Sequence, residues 1–181
     1  MGTRIETFSG GSFDYADPKP ESILLRDIAH ALANTCRFGG HCHRYYSVAE
    51  HSVLVSRIVL DNPRLRLQAL FHDGSEAYLG DIPSPLKNLL PAYQQLEQVV
   101  QMSIYMKFIG QPPSHGGYDY IHQADHAMLL KEMEELLVGG SMWDEYRTTE
   151  PAKVFLEHWT PAEAEHAFLK EHDILRRLLD E

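Results

Sequence analysis

Helix start and stop signals punctuate this chain, and the segments between them carry apolar residues at helical spacing. Few folds other than a packed set of short helices satisfy both conditions. Ser47-Val48-Ala49-Glu50 has the form of a capping box, with the serine oxygen accepting the third backbone N–H and the glutamate reaching back to the cap. The helix it opens sets Val48, His51, Val55 and Val59 on one stripe, and Pro63 ends it. A second box, Thr160-Pro161-Ala162-Glu163, has proline at its favoured first position and starts a final helix to about Leu179. Further helices are predicted from Arg64 to Leu79, closed by Gly80, from Ala92 to Phe108, and from Tyr118 to Val138, closed by Gly139-Gly140. Ser22 reads as the cap of an earlier helix running to about Cys36, with Ile28 and Leu32 on its apolar face. Asp81-Ile82-Pro83-Ser84-Pro85 is too rich in proline for regular helix, and residues 141–160, around Pro151, are less regular. At the start, Arg4 to Phe8, the turn Ser9-Gly10-Gly11-Ser12 and Phe13-Asp14-Tyr15 predict a short β-hairpin.

The expected fold is therefore all-α: one helical bundle with a short N-terminal β-hairpin. The 181 residues suffice for one substantial core and not for two. We divide them into a hairpin arm (1–20), a core (21–138) and a C-terminal extension with its helix (139–181). No apolar run reaches the roughly 18 residues of a membrane span. The N-terminus lacks the apolar stretch of a secretion signal, and Glu6 stands where a myristoylation motif needs Ser or Thr. Cys36 and Cys42 are too few for a disulfide framework, so cytoplasmic residence is expected. The net charge of −10 argues against nucleic acid as a partner, since phosphate backbones are bound through basic stripes. An anionic small molecule would need a local source of positive charge, from a metal or a few placed Arg and Lys residues.

The strongest local signal is Phe71-His72-Asp73-Gly74-Ser75-Glu76. Adjacent helical residues point about 100° apart, so His72 and Asp73 converge on one ion only if it sits between them. Glu76, four residues beyond His72 and three beyond Asp73, would share their side of the helix. On its own a His-Asp pair is most often a surface pair, and His51 fits a satisfied core histidine as well as a ligand. Asp125 lies among Ala124, Met128 and Leu129, and buried aspartates are rare unless paired or bound to metal. Asp81, after Gly80, fits a turn or cap residue.

Taken in order, His51, His72-Asp73 and Asp125 resemble the signature of the HD superfamily of metal-dependent phosphohydrolases, over about residues 20 to 138. The segments Tyr46-Ser47-Val48-Ala49-Glu50-His51-Ser52 and Leu70-Phe71-His72-Asp73-Gly74-Ser75-Glu76-Ala77-Tyr78-Leu79-Gly80-Asp81-Ile82-Pro83-Ser84-Pro85-Leu86-Lys87 are similar to those of YfbR-type 5′-deoxynucleotidases and phage DatZ-type dATP triphosphohydrolases. The resemblance implies that His51, His72, Asp73 and Asp125 hold a divalent ion: Mn²⁺, Co²⁺, Zn²⁺ or Fe²⁺, with Mg²⁺ also admitted. Such an ion activates water and neutralises phosphoryl charge. Glu76 would move the proton as a catalytic residue, with Asp81 near the sugar and leaving group. Arg37 and Lys87 match basic positions that contact phosphate, and Phe38 reads equally as a base-stacking ring or a core side chain.

The implied activity is hydrolysis of a deoxynucleotide phosphate bond, either a dNMP 5′-nucleotidase or a dNTP triphosphohydrolase, with purines and dATP among the candidates. A small-molecule nucleotide would be its partner, in a homo-oligomer without nucleic acid or membrane. The spacing from Arg37 to His51 is one residue shorter than in these relatives, and Phe38 stands where they carry Trp, which leaves base choice open. Alternatives are a binuclear phosphodiesterase or oxygenase, which would recruit His115 and His122, and a non-catalytic metal-stabilised nucleotide sensor. One metal is the expectation. His41-Cys42-His43 is too tightly spaced to enclose an ion alone and reads as a polar loop near the substrate mouth.

Overall fold

The computed structural model describes residues 2–59, 62–139 and 148–181. Two short strands, β1 (Arg4–Glu6) and β2 (Ser12–Asp14), pair antiparallel with Ile5 opposite Phe13. After them come α1 (Leu25–Asn34), α2 (Val48–Ile58), α3 (Pro63–Leu70), α4 (Glu76–Leu79), α5 (Ser84–Lys87), α6 (Pro91–Phe108), α7 (His115–Leu136) and α8 (Pro161–Asp180). The fold is the all-α one, with its N-terminal hairpin. Phe13 is fully buried and stacks on Tyr78 with ring centroids 4.0 Å apart, which ties the hairpin to α4. Among the described residues, no helix is long and apolar enough to cross a membrane.

Helix α2 organises the packing because it has hardly any outward face: every residue from Val48 to Ser56 is buried. Its apolar side chains divide between two cores. Val48, Ala49 and Val53 join Ile28, Leu32, Leu70, Phe71 and Phe168, whereas Leu54, Val55 and Val59 join Ile121, Met128 and Leu136. Helix α8 lies against α1, α2 and α3 and supplies Ala164, Phe168 and Leu175 to the first core. Each such large side chain contributes about 1.5–3 kcal/mol by leaving water. Helix α7 packs on α2 and α3 as part of the second core.

The helix expected from Arg64 to Leu79 is broken. Helix α3 ends at Leu70, and residues 71–75 form successive tight turns before α4. Their backbone bonds span three residues and not four, as in His72 to Ala69 (3.3 Å), Gly74 to Phe71 (2.9 Å) and Glu76 to Asp73 (3.0 Å). Gly74 permits this course: a Cβ there would sit 3.0 Å from the Phe71 carbonyl oxygen and 3.3 Å from the Ile104 side chain of α6. Three other expectations also shift. Ser22 does not cap α1; it lies in a 3-10 turn, Pro20–Ser22, and its hydroxyl donates to the Lys19 carbonyl at 2.8 Å. Ser84–Lys87 is helical after all, because Pro85 falls in the first turn, where no N–H is required. Helix α7 begins at His115, ahead of the expected Tyr118, capped by the Ser114 oxygen that accepts from the Gly117 N–H. Gly140 and residues 141–147 lie outside the described residues, and residues 148–160 form no regular element.

The two capping boxes turn out differently. At Thr160 both halves form, with the Glu163 N–H donating to Thr160 Oγ1 (3.4 Å) and the Thr160 N–H to Glu163 Oε2 (2.9 Å). At Ser47 only the serine half forms, at 3.1 Å. The Glu50 carboxylate instead accepts three consecutive backbone N–H groups, from Glu157 (2.8 Å), His158 (2.9 Å) and Trp159 (2.9 Å). A fully buried carboxylate needs donors, and the incoming C-terminal segment supplies more than the local cap can. Glu50→Ala should therefore lower stability by at least about 2 kcal/mol and open residues 152–160 to proteolysis. Thermal melts and timed trypsin digestion, set against Thr160→Ala, check this. An unchanged melt would mean that the anchor contributes nothing.

Candidate metal centre

Four stretches of chain meet at one point. Helix α2 brings His51, the turn after α3 brings His72 and Asp73, α4 brings Glu76, and α7 brings Asp125 and Glu132. Arg37, Phe38 and Tyr46 come from the connection between α1 and α2.

The two imidazoles define the centre. His51 is fully buried, and its Nδ1–H donates to Glu132 Oε1 at 2.6 Å. His72 donates its Nδ1–H to the Ala69 carbonyl at 2.8 Å. With both Nδ1 positions committed, the two Nε2 atoms face each other 3.2 Å apart. Two bare nitrogen lone pairs at that distance repel, so a cation, either a proton or a metal ion, has to lie among them. Carboxylates complete the cluster. Asp125 Oδ1 is 3.1 Å from His51 Nε2 and 3.8 Å from His72 Nε2. Asp73 Oδ2 is 3.5 Å from His51 Nε2 and 3.3 Å from His72 Nε2. His51, His72 and Asp125 have ligand atoms all within 4.8 Å of one another and could hold a metal ion. Asp73, the fourth expected ligand, borders that set through its contacts to both imidazoles. His72 and Asp73 lie in the tight turns that follow α3, with His72 Nε2 3.3 Å from Asp73 Oδ2.

The charges around the centre explain its titration. Burial and the neighbouring Arg37 pull His51 down, but Glu132 and Asp125 outweigh them and its pKa stands at about 9. Burial would raise Glu132, yet Arg37 and His51 hold it below the usual carboxylate range. Glu76 goes the other way. Burial, followed by the nearby Asp73 and Asp81, pushes it well above that range, and its buried Oε2 has no hydrogen-bond partner among the described residues. Burial also raises Asp81 against the pull of Arg37.

The centre opens into a cavity of about 530 Å³ whose lining includes Arg37, Phe38, Asp73, Glu76, Asp81, Lys87 and Asp125. Most of the residues expected at the site thus share one space, and His51 and His72 adjoin it through Asp73 and Asp125. Gly80, at φ 78° and ψ 159°, a backbone region open to little but glycine, turns the chain so that Asp81 lines the cavity. Phe38 itself has φ 57°, inside a tight turn at Arg37–Gly40. Lys87 Nζ donates to Glu97 Oε1 at 2.6 Å and lies 3.8 Å from Glu76 Oε1. Arg37 is already engaged: its Nε and Nη2 both lie 3.0 Å from Glu132 Oε2, and Nη1 is 3.5 Å from Asp73 Oδ2.

Some candidates stand apart. His115, at the start of α7, is 97% exposed and lies 3.9 Å from Asp119, outside the cavity lining. His122 and His126 do line the cavity. His43 donates from Nδ1 to the Leu136 carbonyl, and the free thiols of Cys36 and Cys42 lie 3.6 Å apart. Sequence reasoning missed Glu132. Its one signal is a position seven residues after Asp125, two helical turns along α7, next to Met128 and Leu129; the adjacent Glu134 and Glu135 mask it as part of a charged run.

If this cluster holds metal, His72→Ala and Asp125→Ala should lose it, and His115→Ala should keep it. Elemental analysis after dialysis reads the difference. Full metal retention by both of the first two variants would dismantle the assignment.

No family model matches the chain. It is 43% identical over 140 residues to the uncharacterized protein YfdR of Escherichia coli K12, a match spanning 77% of this chain and 76% of that protein. It is 39% identical over 108 residues to an uncharacterized protein of Rhodobacter capsulatus, spanning 55% of each. On the extent and identity of the first match, the chain belongs to the family of YfdR.

Proposed function

We propose that the chain is a metal-dependent phosphohydrolase of the HD type that cleaves a phosphate bond of a deoxynucleotide. The observation that carries this reading is the pair of imidazole Nε2 atoms 3.2 Å apart, each ring fixed by its other nitrogen, in contact with Asp73 and Asp125, which line a cavity together with Arg37 and Lys87. Two nitrogens with the carboxylates of Asp73 and Asp125 suit Mn²⁺, Co²⁺, Zn²⁺ or Fe²⁺ better than Mg²⁺, which prefers oxygen. Such an ion, when bound, supplies Lewis acidity toward a phosphoryl oxygen and makes water a better nucleophile.

The protein's own groups do the rest. Arg37 lines the cavity and is held by Glu132 through Nε and Nη2, so that Nη1, 3.5 Å from Asp73 Oδ2, is the donor left for a phosphate oxygen. Lys87 reaches the same space once its bond to Glu97 gives way to a phosphate. Burial and the two neighbouring carboxylates of Asp73 and Asp81 push Glu76 toward its protonated form. Its unpartnered Oε2 is the atom suited to exchange that proton with the reacting oxygens. Asp81 lines the same cavity and is assigned to the sugar and leaving group, and Phe38 offers its ring to a base.

Incubation with a panel of deoxynucleoside mono- and triphosphates plus Mn²⁺ or Co²⁺ tests the reading. Monophosphates should yield nucleoside and phosphate, or triphosphates should yield nucleoside and triphosphate. No hydrolysis of either class would sink it. Glu76→Ala should retain metal while the rate falls by roughly 10²–10⁴. Lys87→Ala separates the two substrate classes. Loss confined to triphosphates places Lys87 at a distal phosphate, and equal losses of about ten- to a hundredfold place it at the α-phosphate. Unchanged kcat/KM for both would remove Lys87 from the substrate site.

A further inference from the structure

We infer that Glu132 is the positioning residue of the centre, setting the metal-ligating nitrogen of His51 and the phosphate-facing nitrogen of Arg37 with a single buried carboxylate. The inference rests on the metal-dependent reading above. Glu132 sits on α7 with no exposure, and both of its oxygens are fully used. Oε1 accepts from His51 Nδ1 at 2.6 Å and from the Tyr46 hydroxyl at 2.9 Å. Oε2 accepts from Arg37 Nε and Nη2, each at 3.0 Å. An imidazole that donates from Nδ1 has its lone pair on Nε2, and a carboxylate acceptor makes that lone pair more basic. Glu132 thus selects the tautomer of His51 in which Nε2 points at His72 and Asp125. The same carboxylate takes two of the three guanidinium nitrogens of Arg37, a residue that lines the cavity, and leaves Nη1 beside Asp73 Oδ2 at 3.5 Å. Coordination and anion binding are therefore coupled through one side chain that reaches neither ion nor substrate.

A buried carboxylate beside a buried arginine also has a purely structural reading, in which it only neutralises Arg37. The two readings part on metal affinity. Co²⁺ is the probe, because its visible absorption reports ligand geometry as well as occupancy. In Glu132→Gln the side chain still fills the space, but the charge that tunes His51 is gone. The Kd for Co²⁺ should rise by about ten- to a hundredfold, and the spectrum of the loaded protein should shift. Glu171→Gln is the structural control. Glu171 is equally buried and binds Arg57 and Arg66 at 3.0 and 2.9 Å, far from the centre in sequence and function. It should lower the melting temperature and leave the Co²⁺ Kd unchanged.

Glu132→Gln with parental Co²⁺ affinity and spectrum, alongside any loss of melting temperature, would overturn the positioning role. If the parent protein itself takes up no Co²⁺, both the metal reading and this inference fall together, whereas a binding parent with an indifferent Glu132→Gln removes this inference alone. Should Glu132→Gln not fold, Tyr46→Phe carries the test. It strips one donor from the oxygen that holds His51 and keeps the charge, so a loss of about two- to tenfold in Co²⁺ affinity is expected. An unchanged value there would likewise overturn the role.

Discussion

His51 has no solvent exposure and sits on a helix buried along most of its length. Water can satisfy neither ring nitrogen, and an imidazole left unpaired in such a place costs several kcal/mol. Partners must therefore arrive from other elements. Helix α7 supplies Glu132 on one side and Asp125 on the other, while the turn after α3 supplies His72. Meeting that demand fixes α7 against α2 and holds the chain in tight turns between Leu70 and Glu76. The second core, with Ile121, Met128 and Leu136 packed on Leu54, Val55 and Val59, secures this placement by ordinary burial. Much of the architecture can be read as the means of bringing these groups to one imidazole.

The distribution of charge follows from the same demand. A chain of net charge −10 carries its compensating positive charge where carboxylates converge, at Arg37 among Glu132 and Asp73 and at Lys87 among Glu97 and Glu76. An anion approaching from a distance meets repulsion, and attraction begins only inside the cavity, where low dielectric strengthens each short contact. Carboxylates at the centre divide by environment. Glu132, in contact with Arg37 and His51, is pulled toward its charged form, while Glu76, close to two other acids and poorly solvated, is pushed toward its neutral form. Residues of one type thus stand ready for opposite tasks within one site.

Much of this was legible along the chain, for identifiable reasons. Helix starts at Pro161 and Val48 were marked by short-range chemistry, since a cap and its N–H lie within three residues. The N-terminal hairpin was marked by its glycine turn. Asp125 stood out among apolar neighbours, whereas His51 and His72 were singled out by the resemblance to the HD-type signature, and the three do converge. Expectations failed where a residue's partner lies far away in sequence. Glu50 has the spacing of a capping box, yet its carboxylate goes to residues 157–159, because buried charge takes the most numerous donors within reach. The helical spacing from Arg64 to Leu79 continues through a stretch that is turned in space, and the close approach of α6 at Gly74 leaves no room there for a Cβ. Ser22 had the right residue type for a cap but spent its hydroxyl on Lys19.

By itself, then, the sequence determined the helical class, most helix ends, and a short list of polar residues that had to be explained. Those properties depend on interactions spanning a few residues, which a linear pattern records. Only the tertiary structure decided that Glu132, hidden among Glu134 and Glu135, is the buried acceptor for His51, Tyr46 and Arg37. It alone placed the two imidazole nitrogens 3.2 Å apart, and left His115 in solvent while His122 lines the cavity. Which donor meets which acceptor depends on distances through space between helices far apart in sequence, and packing sets those distances.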